Sequence, residues 1–241
     1  MLAPSRSANI LRICAASLPM MLVVGCVVAP DAAARYTCGA DPAFSLAALQ
    51  QVADAELGND PAAVLLRQHV MGVDGEGLPD RGWRRVADAD GATLFLAEAP
   101  PGAEEPYVQV LIGPLAGELR PDRWGACIPQ VVLGGGAVAA PWNLDRGQAP
   151  VGPDTRRLEI GVLERSCASG HSAEGRIAPP TVDYLTDTVV IVIGVVPRPG
   201  GQDCQGNPVT PFVVELSEPL GERRLLDGST FPLRDPAQPF P

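Results

Sequence analysis

The sequence predicts an α+β N-terminal module, two short helices plus a small antiparallel sheet, followed by an all-β sandwich-like C-terminal domain. Three observations predict it. Beyond residue 40, apolar residues recur at helical spacing only as far as His69. From Trp83 the pattern becomes short alternating runs separated by Gly, Pro and Asp clusters. Cys38 and Cys127 bracket one half of the chain, Cys167 and Cys204 the other.

The first element is a leader. Residues 1–12 are mostly small or polar and carry Arg6 and Arg12; Ile13 to Val24 is apolar, broken only by Ser17 and Pro19. A charged stretch before a short apolar one is the shape of a signal peptide. It ends in Val23-Val24-Gly25-Cys26. These four residues resemble the lipobox of bacterial lipoproteins. The resemblance implies removal of residues 1–25 and acylation of Cys26. The protein would then sit on the extracytoplasmic side of the cell membrane, its membrane partner reached through the covalent lipid. Two acyl chains suffice for stable anchoring, one does not. Two alternatives stay open. Ala32-Ala33-Ala34 fits ordinary cleavage and free release, and Ile13 to Ala29 is almost long enough for an uncleaved anchor.

Residues 26–37 form a short Ala/Pro tether. The α+β module spans 38–130. Asp41-Pro42 reads as a helix start, Asp as N-cap and Pro in the first turn, with Leu46, Leu49, Ala53 and Leu57 following at helical spacing. Asp60-Pro61 starts a second helix carrying Ala62, Leu65, Leu66 and His69. Trp83 to Ala87, Ala92 to Glu98 and Tyr107 to Ile112 read as strands, with a hairpin at Asp88-Ala89-Asp90-Gly91.

Residues 131–153, rich in Gly and Pro around Trp142, read as a connector. The sandwich-like domain spans 154–241. Leu158 to Val162 alternates, Thr181 to Leu185 is a further strand, and Phe212, Val214 and Leu216 point one way against Val213 and Glu215. Val189 to Val196 is apolar on both faces, as a central strand between two layers would be. Glu164-Arg165-Ser166-Cys167, Gly175-Arg176-Ile177, Cys204-Gln205-Gly206-Asn207-Pro208 and Pro219-Leu220-Gly221 through Leu226-Asp227-Gly228 resemble uncharacterised lipoproteins of high-GC Gram-positive bacteria. Gly82-Trp83 and Trp124-Gly125-Ala126-Cys127 are loosely similar to their N-terminal half. The resemblance carries no activity with it.

The chain has six cysteines; on the lipobox reading Cys14 is removed with the leader and Cys26 carries lipid. The remaining four allow three pairings. Cys38–Cys127 with Cys167–Cys204 is expected, since each pair brackets one half. In an oxidising compartment loops of this length stabilise by roughly 4 kcal/mol each in the chain-entropy treatment.

Composition narrows function further. The 241 residues carry 28 acids, 18 bases, all Arg, and a net charge of −10. Every acid lies beyond residue 25 and two Arg before it, so the mature chain carries 16 − 28 = −12. Such a surface repels nucleic acid and anionic headgroups. No cofactor and no metal site is expected. Gly134-Gly135-Gly136-Ala137-Val138-Ala139 formally matches a dinucleotide loop, but Pro141 would end the required helix. Asp74-Gly75-Glu76-Gly77 and the Asp88 hairpin lack the closing Glu of a calcium loop. His69 reads as a packed histidine and His171 as an exposed loop residue. Glu104-Glu105 reads as a solvated pair. No catalytic residue is assigned. The leading expectation is a non-enzymatic binding or interaction module for a protein, polymer or small ligand. The alternative is an envelope hydrolase, which would show His69 or His171 beside a carboxylate and a hydroxyl.

Overall fold

Two-residue turns organise the first half. In the computed structural model, which describes residues 34–240 apart from 40, 52, 54–56, 146 and 148–149, β3 (Arg84–Ala89), β4 (Ala92–Glu98), β5 (Tyr107–Leu115) and β6 (Glu118–Cys127) form an antiparallel sheet in that order. Asp90 and Gly91 turn β3 into β4 with φ of 52° and 77°, the doubly left-handed pair that hairpins favour. Ala116 and Gly117 repeat this between β5 and β6.

β6 is absent from the sequence expectation. It is an edge strand whose residues are mostly exposed and include Pro121, so it carries neither alternation nor a β-rich run. The sheet is covered on both faces. Helix α2 (Pro61–Val70) packs Ala63 and Leu66 against Phe95, Val110 and Ile112. Tyr36, Phe44, Leu46 and Leu49 cover Leu94, Leu96 and Leu111 opposite. Alternation along β4 thus serves two cores, which is why it reads as a continuous apolar run.

α2 begins where its cap signal lies: the Asp60 carboxylate accepts from the Ala62 and Ala63 N–H groups at 3.0 and 3.3 Å. Asp41 does not cap a helix. Its carboxylate is fully buried and accepts from Arg123 on β6 at 2.6 Å. The chain after Pro42 instead extends into β2 (Phe44–Ser45), which pairs with β1 (Arg35–Thr37), and the described part of helix α1 is one turn, Leu46–Leu49. A long-range ion pair and a short-range strand pairing together outweigh the local cap.

Residues 131–153 are structured where described. β7 (Gln130–Val131) pairs with β1, and β8 (Val138–Ala139) and β9 (Trp142–Leu144) join sheets of the second half. β10 (Arg157–Val162) lies between β9 and β14 (Thr210–Glu215). β12 (Thr188–Val192) lies between β11 (Thr181–Tyr184), antiparallel, and β15 (Arg224–Asp227), parallel. The expected strand through Val196 breaks at Ile193, after which β13 (Gly194–Val195) pairs with β8.

Trp142, Leu158, Ile160, Val162, Val189, Ile191 and Val214 share one core between these sheets. The fold is mostly β, with several antiparallel sheets. The halves touch directly: the Val131 N–H donates to Ser229 O at 3.0 Å, and Phe231 stacks on Tyr107 and meets Tyr36 edge-on.

Both disulfides are formed, Cys38–Cys127 and Cys167–Cys204, across 89 and 37 residues of sequence. Leader, lipobox, Cys26 and the tether up to residue 33 lie outside the described residues. Among the described residues no helix is long and apolar enough to cross a membrane.

Candidate functional site

An apolar concave surface grows out of β12. Successive strand residues point to opposite faces. Val189 and Ile191 enter the core of the second half, so Val190 and Val192 face the other way. They floor an open cleft of about 510 Å³, walled by Tyr36 of β1, Val131 of β7, Leu133 and Leu185, with Ala34 at its border. Gly228, after β15, sits against the floor so closely that a Cβ would stand 2.6 Å from Val190 and 2.8 Å from Val192. Any larger residue at 228 would displace that floor.

A second, broader groove of about 950 Å³ runs between Glu104-Glu105 and the Cys167–Cys204 disulfide. Part of its polar wall is engaged within the fold. Glu164, 3% exposed, forms a two-pronged ion pair with Arg176, which also donates to Ser172 O and Val196 O at 2.9 and 2.8 Å. Asn207 Nδ2 donates to the carbonyls of Glu164 and Ser166 at 2.9 and 2.7 Å. These bonds explain the Glu164–Cys167, Arg176 and Asn207 pattern as scaffolding of the disulfide loop.

A buried polar hub, whose residues carry no role in the sequence reading, ties three segments of the second half. Asp227 is fully buried at the end of β15; its carboxylate accepts from the N–H groups of Trp142 and Ser229 at 3.2 and 2.9 Å and from Arg234 at 3.1 Å. Arg234 also donates to Trp142 O. Burial pushes the Asp227 carboxyl above its ordinary range, against the opposing pull of Ser229, Arg234 and Trp142. The available signal was an acid ending the Leu225-Leu226 strand just before a Gly-Ser turn.

The residues singled out from sequence fall as follows. His171 is exposed in the disulfide loop, its N–H bonded to Ala168 O at 3.0 Å. His69 is 9% exposed near the end of α2, its ring edge-on to Trp124 at 4.6 Å between centroids. Gly134 to Gly136 turn between β7 and β8, so a strand and not a helix follows them. Among the described residues, no group of three or more His, Cys, Asp or Glu side chains gathers as a metal site would require. No protein-family model, no curated protein and no solved structure matches this chain.

His69 yields a prediction. Burial holds its pKa below the ordinary value of 6.5, with Asp74 opposing. A depressed histidine contributes stability above the unfolded-state pKa, lost as pH falls through the folded-state pKa. The wild type is therefore expected to lose stability relative to His69→Gln as pH is lowered from about 7 to about 5. Parallel melting curves for the two proteins check this; a constant gap across that window overturns it.

Proposed function

We propose that the protein is an exported envelope lipoprotein, cleaved before Cys26, held by acyl chains on that cysteine, and acting as a non-enzymatic binding module. One observation carries this reading. All four cysteines beyond Cys26 are paired in two disulfides, which persist in oxidising, extracytoplasmic compartments. Cys26 is then the one cysteine beyond the leader without a disulfide role, and it stands at the lipobox position. In this reading an α+β half over 38–130 carries a sandwich-like half whose core holds Trp142. The apolar cleft beside Ala34 is the binding surface.

The test is anchoring. Wild-type protein expressed in a bacterial host is expected to incorporate labelled palmitate and to partition into detergent. Cys26→Ser should abolish both while leaving the two disulfides intact. Unchanged labelling and partitioning in Cys26→Ser would overturn the reading.

A further inference from the structure

We propose that the cleft floored by β12 takes the acyl chain of a membrane lipid. This rests on the lipid-anchored reading for its location, but its chemistry comes from the cleft.

The floor is largely hydrocarbon, with Thr181 and Asp183 of β11 paired beside Val192 and Val190 at one edge. Val190 and Val192 present the second apolar face of β12, and Val131, Leu133 and Leu185 continue it up the walls. The apolar surface runs out over the rim. Val132 and Leu185 are 46% and 38% exposed, and Val138, bridged to Val132 and 37% exposed, extends it. Contiguous exposed apolar surface of this kind is characteristic of a binding site.

The polar groups of the lining are few: the hydroxyls of Thr181, Tyr36 and Tyr184 and the carboxylate of Asp183. Asp183 is the one charged side chain among the described lining residues, and the Tyr184 hydroxyl already accepts from the Ser217 N–H at 2.8 Å. The lining offers no cation for a phosphate or carboxylate head. The cleft therefore selects an apolar chain and leaves a headgroup in water at its mouth. Its volume of about 510 Å³ lies in the range of small-ligand sites, and its open shape suits a flexible linear chain.

Location identifies the source. Ala34, where the tether joins β1, borders the cleft. Seven residues, 27–33, lie between Cys26 and Ala34, so eight Cα-to-Cα steps, 34 − 26, give an extended reach of about 29 Å at most. A lipid on Cys26 thus keeps the cleft within that distance of the bilayer surface, where acyl chains are the dominant apolar solute. The mature charge of −12 gives no electrostatic attraction to an anionic surface, leaving apolar contact as the means of recognition.

The test uses the full mature chain with Cys26→Ser, purified with both disulfides formed, and two probes: dansylundecanoic acid in solution and pyrene-labelled phosphatidylcholine in neutral vesicles. The expected result is saturable one-to-one binding of the first and uptake of the second from vesicles. Leu185→Asp and Val132→Asp, both at exposed rim positions, should weaken binding about tenfold or more with unchanged melting temperature, because each sets a carboxylate against the chain. Val73→Asp, 89% exposed and outside the cleft lining, should bind as the parent does.

Several results would overturn the proposal. These are no saturable binding, equal loss in all three variants, or binding that appears only when residues 27–33 are deleted, which would make the tether the occupant. A change of oligomeric state in Leu185→Asp with probe binding intact would make a second copy the occupant. Binding of the free acid without uptake from vesicles would overturn the membrane source. Acylation of Cys26 in the wild type is read separately by mass. An acylated protein that binds neither probe fails the cleft alone, whereas probe binding by a protein whose Cys26 is unmodified fails the anchor.

Discussion

Trp142→Ala is expected to cost about 4 kcal/mol, a fall of about 10 °C or more in melting temperature for a chain of this size. Trp142 is fully buried, and its indole Nε1–H donates to Ile191 O at 3.1 Å. Truncation removes the largest side chain in the core of the second half and leaves the Ile191 carbonyl without that donor. Phe at the same position keeps most of the volume and loses the bond, so it should cost markedly less. Thermal unfolding of the three proteins ranks them; equal melting points for Trp142→Ala and wild type would remove this residue from the core.

The same residue bears on where the second half begins. A fragment starting at Asp154 lacks Trp142, Ala140 and the strands β8 and β9, all of which complete its sheets or core. Such a fragment is expected to remain without cooperative unfolding even with Cys167–Cys204 formed.

Asp227→Ala is the second large effect, expected at about 3–5 kcal/mol. Removing the carboxylate leaves the Arg234 guanidinium, 15% exposed in its side chain, without its counter-charge. It also strands the N–H groups of Trp142 and Ser229. An uncompensated buried charge and two unpaired donors each cost free energy that the intact hub avoids. Adding Arg234→Met to Asp227→Ala should recover part of the loss, because the stranded charge is then gone while the two N–H groups remain unpaired. Chemical denaturation of the single and double variants measures this. A double variant less stable than Asp227→Ala alone would show that Arg234 stabilises independently of its partner.

Much of the fold was legible where local chemistry and final environment agree. Asp60-Pro61 caps α2, and Asp90-Gly91 makes the first hairpin. Leu158, Ile160 and Val162 alternate into one core. The cysteine positions favoured the pairing that forms, because each pair closes one half of the chain. Failures occur where a distant partner decides. Asp41 carries the same cap signal as Asp60, yet it is drawn under β6 by Arg123, 82 residues away. β6 is polar, exposed and interrupted by Pro121, so only its neighbour β5 identifies it as a strand. Residues 131–153 have the composition of a linker because strands β7 to β9 are two or three residues long, too short to show a period.

The cleft shows the division most directly. The sequence by itself determined that Val189 to Val196 is apolar on both faces, since a period-two count needs nothing beyond the residue order. It also determined the net negative charge, the even number of cysteines beyond residue 26 and the Val23-Val24-Gly25-Cys26 motif. Only the tertiary structure decided what the second apolar face of β12 meets. Burial is a property of what packs opposite, and residues of β1 and β7 wall an open cleft over Val190 and Val192.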